Sequence, residues 1–449
     1  MTNSLMRTGT CPARPPLLNR ALLLRFVSMV GATVSFFLLL SSVPSHAGRG
    51  GAGLATGAMM LSTVLGELSG PRILRRYGNR GPLAAGLLLL GAPALALPLC
   101  PGPLWTAAVC LVRGLGFALT LVAGGALTAA LIPARRRAEG LALVGVVGGV
   151  PSLVALPLGV WLTVHVGYAP VTTAAALAAL ATIPTVPALR EPDTAKSGPL
   201  GDAADATGDQ GQVADGEGRF TSAEGEAHGG AGHITDDGNA LGGEAHAAGS
   251  GTRVRGRESE ALGVFEALGA AGLRRPTAVF AATALAAGIL VTFLPLAVPR
   301  GSAGVATAAL LVQSGASTAA RWAAGRYGDR RGSARLVVPG LLVSAAGMAA
   351  LAAAAGPVAV LAGAAVFGTG FGIAQNATLA VMYSRVSRPS YGTVIALWNL
   401  AYDGGMGVGA AGFGLLTART GYARGFALTA VLMLAALGPA LRDRRPEQR

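Results

Sequence analysis

The chain has 449 residues, of which 52% are hydrophobic and only 12% charged, with a formal net charge of +14 and a mean hydropathy of +0.55. So few charges cannot cover the surface of a water-soluble domain of this length. A pI of 11.0 suits a nucleic-acid binder, but the placement of the arginines points elsewhere.

A helix needs about 20 apolar residues to cross a bilayer. Runs of that kind lie at Ala21–Ser41, Gly53–Ser69, Pro82–Leu99, Leu104–Ile132, Leu141–Val164 and Val171–Leu189. Ser45-His46-Ala47, after the first run, has the look of a signal-peptidase site, but the many runs that follow favour a retained helix. A second set lies at Thr277–Val298, Ala303–Ala324, Leu336–Ala354, Val358–Val381, Gly392–Leu416 and Gly425–Leu441. The reading is an all-α membrane protein of twelve transmembrane helices in two six-helix bundles, residues 21–189 and 276–441. Residues 1–20 and 442–449 form tails.

Between the bundles, residues 190–275 are rich in Gly, Ala, Asp and Glu, as in "GDAADATGDQGQVADGEG". Such chain buries too little apolar area to offset its conformational entropy, so a disordered linker is expected. His228, His233 and His246 stand there among acids, and a solvated linker explains them better than a metal site. Cys11, Cys100 and Cys110 have neither metal-site nor disulfide spacing. No cofactor is expected.

The basic clusters Arg72/Arg75/Arg76/Arg80, Arg135–Arg137, Arg326/Arg330/Arg331/Arg335 and Arg442/Arg444/Arg445 all fall on one side of this arrangement. The positive-inside rule makes that side cytoplasmic, with both termini there and the chain in the cell membrane. The pI is then a topology signal, and the partner is a lipid bilayer and no nucleic acid. The halves also repeat. "AGLATGAMML" from Ala52 parallels "AGVATAALLV" from Ala303, and "RYGNRG" from Arg76 parallels "RYGDRRG" from Arg326. "VSFFLL" from Val34 and "RGLGFAL" from Arg113 have matches at Val291 and Phe367, in the same order. Repeats of this kind build transporters that rock one bundle against the other around a midplane site.

At "GRYGDRRG" the chain resembles the major facilitator superfamily, whose Gly-x-x-x-Asp-Arg-x-Gly signature is met by Gly325, Asp329, Arg330 and Gly332. The first-half copy is degraded, with Asn79 at the Asp position and Arg75 at the first Gly. The resemblance implies twelve helices in two pseudo-symmetric bundles and a cytoplasmic gating role for the signature. Plain positive-inside anchoring is the alternative. An intramembrane enzyme is not expected, because it needs a nucleophile–base pair or a metal cluster at membrane depth and His is missing from every helix core, His165 lying at an outer edge. Arg113, followed by Gly114, is similar to an Arg that the family associates with proton coupling, the alternative being a structural Arg snorkelling outward. In "GVVGGVPSLVALPLG", Gly145 and Gly149 are expected to form a close-packing face, with Pro151 and Pro157 bending the helix. The segment is loosely similar to a Gly/Pro motif of antiporter branches, which implies drug or metabolite efflux over uptake.

Asp403, in "LWNLAYDGGMGVGAAGFG", lies roughly 20 Å along a helix from Tyr391 at about 1.5 Å per residue. That depth is near the bilayer centre, where an ionised carboxylate is costly and marks a proton relay. Asn399 is one turn earlier on the same face and Tyr402 is adjacent; the alternative is an Asp bracing an unwound, Gly-rich stretch. Gln313, Gln375 and Asn376 are cavity candidates or interhelical hydrogen-bonding groups. Glu67 is expected to pair with nearby arginines, and Trp398 and Phe293 to pack in apolar surroundings or stack on a substrate. The only Lys, Lys196, lies outside any P-loop pattern, so an ion gradient is the natural driver. The expectation is alternating-access, proton-coupled export of a small organic molecule. Nutrient uptake by symport and a transport-inactive sensor are the alternatives.

Overall fold

A computed structural model describes residues 19–132, 137–189, 264–299, 303–387 and 390–442. The terminal tails, most of the linker with its three histidines, Cys11, Arg135 and Arg136, and Arg444 and Arg445 lie outside the described residues. Among the described residues all regular structure is helical.

The first helix, α1, runs from Arg20 to Tyr77. Asn19 caps it, its Oδ1 accepting from the Leu22 N–H at 2.7 Å. Gly48 interrupts the helical dihedrals (φ 66°, ψ −170°), a conformation that a side chain resists. The first two apolar runs are therefore two helical arms that meet at a kink at Gly48. α2 (Arg80–Gly91) tightens into a 3-10 turn over Ala92–Ala96, because Pro93 lacks the N–H that would continue the ladder. α3 (Pro103–Leu131), α4 (Arg137–His165) and α5 (Tyr168–Leu180) follow.

After a short α6 (Val264–Gly269), α7 runs Ala271–Ala297, so helix begins inside the stretch expected to be linker. α8 is Ala303–Arg331, α9 Ala334–Ala352, α10 Pro357–Tyr383, α11 Tyr391–Thr420, α12 Tyr422–Ala435 and α13 Leu437–Arg442. Among the described residues, eight segments are long and apolar enough to cross a membrane: Arg20–Gly48, Pro103–Leu131, Leu143–His165, Tyr168–Thr185, Ala271–Ala297, Ala334–Ala352, Pro357–Tyr383 and Tyr422–Arg442. This is an all-α, multi-span membrane fold. The other expected spans are shorter, as in α2, or more polar: the second arm of α1 holds Glu67, α8 Arg321 and α11 Asp403.

Small residues set how closely the helices approach, because lipid supplies no hydrophobic drive between them. In the first half, Gly116 sits against the backbone of Leu89 and Leu90, joining α3 to α2, and Gly114 against Met59, joining α3 to α1. In the second half, Gly370 meets Ser344, Gly372 meets Ser317 and Gly288 meets the backbone of Met406. The halves touch where the second arm of α1 packs on α11 and α7, and where α4 packs on α8. The Thr292 hydroxyl there donates to Thr56 Oγ1 at 3.2 Å.

The expected packing face on α4 is corrected at one position. Gly149 is exposed, and a Cβ there would meet nothing within 4 Å; Gly145 is half-buried. The tight contact belongs to Gly159, two turns past the half-buried Pro151, against Leu38 and Ser41 of α1; Ser41 also donates to the Leu156 carbonyl at 2.6 Å. The helix continues through Pro151 and Pro157. Gly149→Leu should therefore leave the thermal stability of the purified protein unchanged, whereas Gly159→Leu should lower it.

Candidate functional site

α11 remains helical through Gly404, Gly405, Gly407 and Gly409, so Asp403 does not brace an unwound stretch. These glycines bring α11 against two neighbours. On one side Gly405 and Gly409 meet Ala281 and Leu285 of α7. On the other Gly407 faces Met60 and Gly57 of α1, and Ala410 and Gly414 face Gly53. Asp403, only 8% exposed, is held where the three helices meet.

Its surroundings contain groups that the sequence did not connect to it. Glu67, on the second arm of α1, is the electrostatic neighbour of Asp403. Its Oε1 is buried and has no hydrogen-bond partner. Of the arginines with which Glu67 was expected to pair, Arg72, Arg75 and Arg76 are exposed, while Arg80 is half-buried with a buried Nε that has no hydrogen-bond partner. Tyr402 is half-buried and lies near Arg321 of α8 electrostatically.

An aromatic cluster backs this corner. Phe280 and Trp398 stack at 4.4 Å between ring centroids, and Tyr402 lies 6.0 Å from each of them. Phe371 and Phe367 extend the cluster into α10. The buried Trp398 Nε1–H has no acceptor, a polar cost that an aromatic core bears for its packing. Phe293 packs instead with Phe413. Of the other candidates, Gln313 and Gln375 are buried, while Asn376 and Asn399 are half-buried. Gln313 stands where α8 meets Gly368 of α10, and its Oε1 accepts from Ser314 Oγ at 3.3 Å.

Arg113 is separate from this group. It is wholly buried (0% exposed), which rules out snorkelling. Its Nε donates to the Leu90 carbonyl at 3.0 Å and its Nη2 to the Ser35 carbonyl at 3.0 Å, while Nη1 is buried without a partner. It ties α1, α2 and α3 together, with Cys110 and Tyr168 as electrostatic neighbours. A second buried guanidinium, Arg25, donates to the Gly124 carbonyl at 3.0 Å and to Ser28 Oγ at 2.9 Å. Arg25, Arg321 and the partner of Glu67 were missed. An Arg within an apolar run was the available signal for the first two.

The signature residues end α8. Gly332 adopts φ 86° and its N–H closes on the Gly328 carbonyl at 2.8 Å, a left-handed stop that favours glycine. Asp329 and Arg330 are exposed, Gly325 is half-buried, and Arg326 lies over the Trp322 ring at 4.6 Å.

Among the described residues the multi-span helical bundle carries buried ionisable groups, and no group of three or more His, Cys, Asp or Glu there could hold a metal ion. Residues 21–410 match the family model of the Major Facilitator Superfamily, and the chain belongs to that family. It is thus a multi-pass transporter and not an enzyme. No curated protein matches it by sequence. Among solved structures it is similar to a mutant of the nucleoside transporter NupG, with a TM-score of 0.64 at 11% identity. It is also similar to the human organic anion transporter MFSD10 (TETRAN), with a TM-score of 0.57 at 13% identity. Each comparison covers 95% of this chain and 100% of the other. At such identities the likeness concerns the fold.

Proposed function

We propose that this protein is a proton-coupled exporter of a small organic molecule, working by alternating access with both termini cytoplasmic. On this reading the second arm of α1, α2, α8 and α11 complete twelve spans in two bundles, joined by the acidic linker. The observation that carries it is Asp403, a buried carboxylate on a helix that touches both halves. A carboxylate in that position changes its charge by taking or losing a proton, and a change of charge at an interface between moving bodies is how an ion gradient does work. Tyr402, Asn399, Gln313, Gln375 and Asn376 supply hydrogen-bonding groups for an organic solute, and Arg321 adds a positive one. Arg113 acts here as a brace that keeps the first half rigid. The Gly325–Gly332 signature gates the cytoplasmic end.

Export is favoured over uptake by the Gly145–Pro157 segment, which has an antiporter-like pattern of glycines and prolines. The test is accumulation of fluorescent and drug-like compounds in cells stripped of their own pumps. The expected result is lower accumulation with the protein than with empty vector, abolished by a protonophore. Higher accumulation would replace export with symport. No change for any compound, at verified expression, would sink the transport reading.

A further inference from the structure

The packing of α1 on α11 has a register. The two helices run antiparallel, with Gly53 against Ala410 and Gly414, and Gly57 and Met60 against Gly407. Glu67 lies seven residues beyond Met60, two turns and about 10.5 Å further toward the Arg-rich end. Asp403 lies four residues before Gly407, one turn and about 6 Å toward that same end. Steps of seven and four residues keep a side chain on its helix face. The contact that brings Gly57 and Met60 onto Gly407 therefore places Glu67 and Asp403 on the facing sides of the two helices, with Glu67 about 4.5 Å further along the axis, an offset that its longer side chain can span. The buried, unpartnered Oε1 of Glu67 is an independent sign. A carboxylate oxygen out of water without a donor needs a proton, its own or a neighbour's.

We propose that Glu67 and Asp403 act as one unit that holds a single proton between them and fastens α1 to α11 while it does so. The inference rests on the reading of Asp403 as the coupling residue and extends it to a second residue on the opposite half. With the proton present, one carboxyl is neutral and can donate its O–H to the other's carboxylate oxygen, joining the halves. When the proton leaves, two like charges face each other in a poorly screened place and push the helices apart at the Arg-rich end. The charge that drives the movement is then repulsion between two elements.

The nearby groups are compatible with this. Among the described residues, the other titratable groups of the corner are Tyr402 and Arg321, the latter an electrostatic neighbour of Tyr402. α7 presents Ala281, Ala284 and Leu285 to α11, and α3 presents Leu115 and Ala118 to Gly66 of α1.

The test uses the full chain in lipid nanodiscs, with Cys11, Cys100 and Cys110 replaced by Ala and spin labels at Arg75→Cys and Gly392→Cys. Electron–electron distances are followed through an acid-to-alkaline titration. The parent protein should lengthen the distance as the pH rises. Glu67→Gln and Asp403→Asn should each hold it at the short, acid value throughout, and the exchange of Glu67→Asp with Asp403→Glu should restore the response. Glu67→Gln should also lose gradient-driven transport. If Glu67→Gln titrates and transports like the parent while Asp403→Asn does neither, the pair is overturned and the single-carboxylate reading stands. If both variants behave like the parent, both readings fail. A parent whose distance ignores pH overturns the fastening role.

Discussion

Asp403→Asn should reduce gradient-driven transport to the empty-vector level while leaving folding and expression intact. The amide is nearly isosteric with the carboxyl and keeps its hydrogen-bonding capacity, but it cannot release a proton. An ionised Asp at the centre of a membrane helix costs about 3 kcal/mol, which corresponds to roughly a hundredfold in any equilibrium it biases. Asparagine removes that bias and fixes the site in its neutral form. Exchange of substrate for substrate without a proton gradient uses the same parting of α1 from α11 and should fall with it. The measurement is efflux from proteoliposomes with and without an imposed pH difference, alongside counterflow at equal pH. Retention of pH-driven efflux by the Asn variant would move the coupling elsewhere.

Gly288→Val should be the most damaging single substitution at the α7–α11 contact. A Cβ at Gly288 would run into the backbone of Met406, and a helix backbone does not yield as a flexible side-chain end does. Overpacking a close contact costs up to about 3 kcal/mol. The displaced segment also carries Asp403, three residues from Met406, so transport should fail along with stability. Gly412→Val is the matched control. It is exposed on α11, the helix that Gly288 packs against, and a Cβ there meets nothing within 4 Å, so the greater helix propensity of Val should leave it neutral or slightly stabilising. Thermal unfolding of the two variants in detergent would show a clear drop for the first and none for the second.

These two residues also show what could be read without a structure. Asp403 was legible because a lone carboxylate in an apolar run violates a strong rule. Gly288 was not legible, since many glycines share its setting and only the approach of another helix distinguishes it from Gly149. The same limit hid the partner of Glu67. Its position near several arginines in sequence suggested ion pairing, but Arg72, Arg75 and Arg76 are exposed and its electrostatic neighbour is Asp403. Register between helices more than 300 residues apart is set by tertiary packing, which local periodicity does not encode. Arg25 was overlooked although it obeys the rule that found Asp403, because it lies near the start of a run and resembles an anchor. Helix existence followed from composition. Proline and glycine chemistry then altered it, shortening α2 at Pro93 and kinking α1 at Gly48.

The shortening of α2 has a consequence in the surrounding lipid. Twelve α-helical residues and five in the 3-10 turn span about 28 Å at about 1.5 and 2.0 Å per residue. α3, with 29 residues, spans roughly 43 Å on the same rise. On the twelve-span reading proposed above, a hydrocarbon layer of about 30 Å is met by a short helix beside one that must tilt. Leu88, Leu95 and Leu99 are exposed along this short edge, so lipid there must thin to cover them and no further. Bilayer thickness then becomes a variable for the protein: short-chain lipids relax this edge, long-chain lipids strain it, and turnover should differ between the two at the same pH gradient.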